Sequence, residues 1–376
     1  MGAVLQAAKG FAAPETGDAY ARACKLWEQL GSPSEFLHLP FGRSTYHQNR
    51  GELDLTQPLD EDLLRLSRQR NETAGLVLGH LSFGRNIMLA GEFSSSRLHL
   101  EEALALYDPV AQRSLAQQTD SYPPVLARAR LGIVLFCLGY PDRALAQCNA
   151  AIAEARRLVH APMLAMSLAH TNRLLSLEGE NGALDERAGQ LVAVATEQGF
   201  PYWIAAGRIF RGWLMVKDGD VTEGMSLLRN GIAAYRASGA EVWMPHYTAL
   251  LARGCEIAGQ VEQALTLWDE ALRIVERTGE RWFLAELYRH KGQLLLRQGD
   301  AESAEELYRT ALNVAREQEA RLWELRAAVS LARLRRDEGR GGEARDLLAP
   351  IYGWFTEGFD TPDLSEAKAL LEGLDA

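Results

Sequence analysis

The amino-acid sequence predicts an all-α protein: a right-handed α-solenoid of helix-turn-helix repeats with a 40-residue period. Three observations carry this expectation. Glycines recur in steps of 40 along most of the chain. Two apolar-periodic segments of helix length lie between successive glycines. The composition is rich in Ala, Leu, Arg, Glu and Gln, side chains that lose little rotamer freedom in a helix.

The glycine grid runs through Gly51, Gly91, Gly139, Gly179, Gly219, Gly259, Gly299 and Gly339, and only the step from Gly91 to Gly139 is longer, at 48 residues. The excess falls in residues 109–122, which read as a loop. Glycine ends a helix at low cost because it accepts a left-handed backbone. Each repeat therefore reads as helix A, glycine turn, helix B, turn. Gly31, Gly199, Gly239 and Gly279 close helix B in several repeats, with Asn71 in the equivalent place once.

Small residues follow the same grid. Seven positions before the turn glycine stand Ser44, Gly84, Gly132, Gly212, Ala252, Gly292 and Ala332; five after it stand Ser96, Ala144, Gly224, Ala264, Ala304 and Ala344; twelve after it stand Ala103, Ala151, Gly231, Ala271 and Ala311. These are the expected crossing points of helices A and B. Leu227, Leu267, Leu307 and Leu347, then Ile152, Ile232, Leu272 and Leu312, are expected to fill the core beside them. An aromatic column, Trp203, Trp243, Phe283 and Trp323, opens helix A. Its strict period favours packing over a ligand groove. The repeat near Ala161 is degenerate, with Asn172, Leu184 and Leu191 in place of small residues, and looser or bent packing is expected there.

The spacing of small residue, turn glycine, Ala and Ala resembles the tetratricopeptide signature, whose unit of about 34 residues is shorter than this one. The expected organisation is one continuous solenoid. Residues 1–31 form a partial N-terminal hairpin, residues 32–352 an array of about eight hairpins, and residues 353–376 a C-terminal cap. Thr361-Pro362-Asp363 marks a helix start, with Thr as N-cap and Pro in the first turn. Tyr352, Trp354, Phe355 and Phe359 are expected to supply the cap's apolar contact. The N-terminal end shows no comparable cap, which suggests an array that once continued upstream.

The net charge of −10 argues against a general nucleic-acid role, since phosphates demand a basic surface. One locally basic stretch, Arg321, Arg326, Arg333, Arg335, Arg336, Arg340 and Arg345, is interleaved with Glu324, Asp337, Glu338 and Glu343. A solvated, ion-paired helix face is the favoured reading, and an anionic partner the other. Four scattered cysteines, Cys24, Cys137, Cys148 and Cys255, form no C-x-x-C pair and suit a reducing cytosol. No signal peptide and no apolar run of membrane-spanning length is recognisable, so a cytoplasmic protein without membrane contact is expected.

No phosphate-loop, dinucleotide-binding, H-E-x-x-H, G-x-S-x-G or EF-hand pattern occurs. The eight histidines form no i, i+4 pair. No catalytic, cofactor-binding or metal-ligating residue is therefore assigned, and no enzyme is expected. The surface a solenoid offers is its concave face, lined by helix A. Residues there that break the core pattern are the candidate partner-binding set: Tyr202, Arg208, Arg211, His246, Tyr247, Arg253, Arg289 and Arg333.

Several segments go beyond a generic repeat: residues 194–201 (VATEQGFP), 274–280 (IVERTGE), 291–299 (KGQLLLRQG), 323–332 (WELRAAVSLA) and 349–364 (APIYGWFTEGFDTPDL). Together they resemble the C-terminal region of large bacterial adenylate/guanylate cyclase–ATPase proteins, over nearly the whole chain. In that family a class III cyclase domain and a STAND-type AAA ATPase precede the repeats. The resemblance implies a non-catalytic interaction scaffold or sensor arm that regulates a signalling cyclase or ATPase. It carries over no catalytic or nucleotide-binding residue. A protein or peptide partner is expected. The alternative is a small-ligand-sensing domain of a STAND-type regulator.

Overall fold

The computed structural model describes residues 6, 10–110, 112, 122–179 and 181–374. Most of the loop expected at 109–122, and residues 1–5 and 7–9 of the expected partial hairpin, lie outside the described residues. Among those described are eighteen α-helices, one 3-10 turn at Ser34–Phe36, and no strand. Helix α1 (Pro14–Gln29) is followed by eight antiparallel pairs. These are α2 (His38–Asn49) with α3 (Leu53–Arg70), α4 (Thr73–Ala90) with α5 (Phe93–Leu106), α6 (Pro123–Cys137) with α7 (Pro141–Arg157), and α8 (Ala161–Glu178) with α9 (Asn181–Glu197). Then come α10 (Pro201–Lys217) with α11 (Val221–Ala237), α12 (Met244–Ile257) with α13 (Val261–Thr278), α14 (Leu284–Arg297) with α15 (Ala301–Glu317), and α16 (Arg321–Asp337) with α17 (Gly341–Tyr352). Helix α18 (Pro362–Leu374) closes the array. Each second helix of a pair also packs on the first helix of the next, so the chain is an all-α solenoid.

The grid glycines do what their spacing implies. All eight have positive φ, from 70° at Gly51 to 102° at Gly219, as does Asn71 at 53°. At Gly91 the left-handed turn lets Gly91 N–H reach Met88 O and Glu92 N–H reach Ile87 O, satisfying carbonyls that the helix end would orphan. The small residues do mark the crossings. A Cβ built on Gly212 would stand 2.6 Å from Leu228 N and 2.9 Å from Gly224 O, and one on Gly224 2.7 Å from Val216 N.

The core column differs by one residue from expectation. Leu227, Leu267, Leu307 and Leu347 are only half-buried, whereas Leu228, Trp268, Tyr308 and Leu348 are buried. The buried stripe follows i, i+4 and i+7 from the small residue, as in Ala264, Trp268 and Ala271, because side chains on one helix face repeat at that interval. In the degenerate repeat Leu184 and Leu191 are fully buried, and the buried amide of Asn172 has no hydrogen-bond partner. Its helices α8 and α9 meet less extensively than α10 and α11.

One feature of the superhelix is absent from the sequence pattern: its coils touch. Glu241 and Val242 donate their N–H groups to Asn49 O (2.8 and 3.3 Å), and Arg281 and Trp282 donate theirs to Leu89 O (2.7 and 3.0 Å). Each acceptor lies two residues before a turn glycine, at the carboxyl end of α2 or α4, and each donor precedes α12 or α14. The third equivalent turn, Gly139, faces Arg321, Trp354 and Phe355. There Tyr140 meets Trp354 at 5.5 Å, Gly358 N–H reaches Asp142, and Arg143 pairs with Glu357 at 2.6 Å. At the fourth, Leu177 O accepts from the Arg326 guanidinium at 2.7 Å. The seam thus joins hairpins about five apart and satisfies carbonyls at the ends of three A helices.

This seam redirects part of the expected cap. Leu364, Ala367 and Leu370 of α18 are buried on the last hairpin, but Trp354 and Phe355 pack against Gly139 and Phe359 is exposed. The Thr361 hydroxyl donates to Gly358 O at 2.6 Å, so it fixes the preceding turn.

Candidate functional site

The coils touch, and two cavities formed by described residues, each partly open to solvent, lie along the face lined by helix A. The first, of about 140 Å³, lies among α1, α2, α4, α6, α8, α10 and the stretch before α12. The second, of about 210 Å³, lies among α8, α12, α14, α16 and α18.

The charged lining has a periodic origin. Arg85, Arg173, Arg253 and Arg333 each stand six residues before a turn glycine, in every second hairpin. Arg85 and Arg173 line the first cavity, Arg253 and Arg333 the second. Sequence reasoning singled out the latter two and missed the former. The alternation of this column was the available signal.

In the second cavity Glu286 is the hub. It accepts from Arg289 Nε (2.5 Å) and Nη2 (2.7 Å) and from Arg326 Nη1 (3.1 Å). Burial alone would raise its carboxyl, but the attraction of Arg289, its hydrogen bonds and then Arg326 hold it well below the usual range. Arg326 also makes a bidentate pair with Asp363 of α18, both bonds at 2.7 Å. Arg333 pairs with Glu366, and Arg253 lies over the Trp213 ring at 4.7 Å. Burial, then nearby arginines, keep His246 and His290 neutral.

Between the cavities sits a second buried acid. Glu280 takes the Trp243 N–H on both oxygens (3.0 and 2.9 Å) and the Trp282 indole N–H at 2.9 Å. Trp243 is in the left-handed region at φ 68°, a conformation that costs a bulky residue about 1–3 kcal/mol, and Glu280 holds it there. Burial raises the Glu280 carboxyl from its ordinary 4.5 to about 7, against those hydrogen bonds. A carboxyl shifted upward on folding favours the native state only while protonated. Stability should therefore fall as pH rises from about 4.5 to about 7, by about 3 kcal/mol. Glu280→Gln should remove that part of the decline. Urea titrations of both proteins at pH 5 and pH 8 measure it, and equal pH dependence would refute it.

The eight sequence candidates separate. Tyr202 lines the first cavity; His246, Arg253, Arg289 and Arg333 line the second. Tyr247 is buried and takes a hydrogen bond from Arg173 at 2.9 Å. Arg208 and Arg211 are exposed and line neither cavity. The aromatic column divides: Phe283 meets Trp323 at 5.9 Å and Trp243 meets Trp282 at 5.4 Å, edge to face, while Trp203 and Trp243 also line the first cavity. Most of the basic stretch is ion-paired, Arg321 with Glu324, Arg336 with Asp337, and Arg340 with Glu305, Glu338 and Glu343. All four cysteines are buried and free. Among the described residues no group of three or more His, Cys, Asp or Glu could hold a metal, and no helix is long and apolar enough to cross a membrane.

The fold and its repeat define a tetratricopeptide-type α-solenoid. Residues 246–317 match a model described as tetratricopeptide repeat. An uncharacterized protein of Rhizobium meliloti (strain 1021) is 25% identical over 271 residues, which is 72% of this chain and 26% of that protein. The chain thus spans about a quarter of the length of this curated relative. Among solved structures, a Rap protein complexed with competence and sporulation factor is 12% identical, with 91% of this chain and 98% of that one covered at a TM-score of 0.55. The Cut9–Hcn1 assembly of the APC/C is 12% identical, with 94% and 59% covered at a TM-score of 0.51.

Proposed function

We propose that this chain is a non-catalytic sensor arm: its interior takes up a ligand, and its outer surface passes the bound state to a protein partner. The contact between coils, which leaves two cavities with converging polar groups along the helix A face, supports this reading. An open concave groove suits a protein segment, whereas an enclosed pocket with converging polar groups suits a small molecule or a short peptide. The solved Rap relative of this fold is held with competence and sporulation factor, which fits a solenoid of this length in a ligand-responsive role. The partner regulated would be a cytoplasmic signalling ATPase or cyclase, the setting implied by the resemblance of residues 349–364 and the other quoted segments. No step of chemistry is assigned to the chain.

Hydrogen exchange on the purified chain tests the reading, with fractions of a bacterial extract below and above about 1 kDa. The expected result is slowed exchange from the low-mass fraction, confined to α2, α8, α10, α12 and α14. Slowed exchange only on outward-facing B helices, and only from the high-mass fraction, would refute an interior sensor and leave a protein scaffold.

A further inference from the structure

The first cavity has a charge imbalance that its packing does not explain. Among the described residues three guanidinium groups, of Arg85, Arg130 and Arg173, line it, and no carboxylate does. Arg85 is satisfied by Thr45 (2.8 Å), Ser44 (3.2 Å) and Ser82 (3.0 Å), with Asp60 behind them. The other two are not. Arg130, 9% exposed, donates to Leu126 O at 3.1 Å, and its Nε has no partner. Arg173, 2% exposed, lies on the Trp243 ring at 3.7 Å and donates one bond to Tyr247, leaving Nε and Nη1 without partners. Glu280, an acid that feels the charge of Arg173, spends its oxygens on Trp243 and Trp282. His170 Nε2 is likewise buried without a partner.

Buried cations of one sign repel, and each costs several kcal/mol to dehydrate. Burial, then Arg85 and Arg173, bring the Arg130 guanidinium down to about 9. Water can supply acceptors to such groups, but not counter-charge. An apolar part of the lining, Phe11, Phe41, Trp203, Met163 and Met166, lies beside neutral polar groups such as Gln48, Asn49 and Tyr202. The volume of about 140 Å³ is close to that of an engineered cavity of about 150 Å³ that admits benzene.

We propose that this cavity binds a small organic anion, a carboxylate or phosphate monoester on a flat apolar body of about one ring, through Arg130 and Arg173. The assignment rests on the sensor reading and names the ligand class for its interior. The anion takes the free N–H groups, a geometry that planar guanidinium forks favour, and the ring lies among Phe41, Trp203 and Met163.

Calorimetric titration of the full chain with benzoate, phenyl phosphate, inorganic phosphate and neutral benzamide tests this. Benzoate or phenyl phosphate should bind one to one, at least tenfold more tightly than benzamide or inorganic phosphate. Arg130→Met and Arg173→Met should each weaken binding at least tenfold, while Arg208→Ala, outside both cavities, leaves it unchanged. Without ligand, Arg130→Met should hold or raise the melting temperature, because it relieves repulsion; an arginine kept for structure would lower it. If a methionine variant does not fold, Arg173→Lys, which keeps the charge and loses the fork, should still weaken binding. Equal binding of benzamide, undiminished binding in the variants, or no binding of either aromatic anion would overturn the assignment. If aromatic anions fail while another small molecule slows exchange in the interior, the sensor reading stands and only the ligand class falls. If nothing does, both fall.

Discussion

Gly212→Ala should destabilise the hairpin formed by α10 and α11 by about 2 kcal/mol, and Gly212→Leu should prevent it from forming. Alanine is ordinarily better than glycine inside a helix by about 1 kcal/mol. Here a Cβ would meet backbone atoms, Leu228 N at 2.6 Å and Gly224 O at 2.9 Å, which cannot swing aside as a side chain does. Overpacking of this kind costs about 1–3 kcal/mol and outweighs the propensity gain. Gly189→Ala supplies the opposite sign. Gly189 is exposed within α9 with nothing within 4 Å of its Cβ position, so the same substitution should stabilise by about 0.5–1 kcal/mol. A solenoid need not unfold as one unit. Hydrogen exchange resolved to α9, α10 and α11 is therefore the measurement, with urea melts beside it. A neutral Gly212→Ala would mean that the crossing is looser than these distances.

Glu286→Gln should be the most damaging charge change in the molecule, at about 3–5 kcal/mol, the usual result of breaking a buried ion pair from one side. The carboxylate serves Arg289 and Arg326, and Arg253 stands in the same cavity. Neutralising it leaves guanidinium groups facing one another with Asp363 as the acid bonded to Arg326. Its carboxyl lies below its unfolded value of about 4.5. The pair's contribution is therefore complete above that value and is lost as pH falls further. Wild type and variant should converge in stability at low pH and diverge most near neutrality. Glu338→Gln, at a surface pair with Arg340, should leave stability almost unchanged. Weakening the α14–α16 contact between Glu286 and Arg326 should also speed exchange in α16. An unchanged pH profile in Glu286→Gln would show that the arginines find other partners.

The repeat was legible because it is local. Gly91, Gly219 and Asn71 adopt the left-handed turns that their spacing requires, and Gly212 with Gly224 marks a helix crossing. These features depend on residues a few turns apart, where i, i+4 periodicity and turn chemistry decide the outcome. The same reasoning failed by one position for Leu227 and its counterparts, because half-buried and buried columns are adjacent on a helix and both carry large apolar residues. It assigned Trp354 and Phe355 to the cap, since nothing near them in sequence suggests Gly139.

What the sequence determined by itself was the unit: two helices, where they turn, where they cross, and that one such unit needs the next to bury its apolar face. What only the tertiary structure decided was the curvature summed over about five units. That sum brings Asn49 O to Glu241 N–H and Leu89 O to Arg281 N–H, and it converts a concave surface into two cavities. Small rotations between neighbours leave no trace in any single repeat. Whether Arg173 faces open solvent or lines a cavity is set by their accumulation.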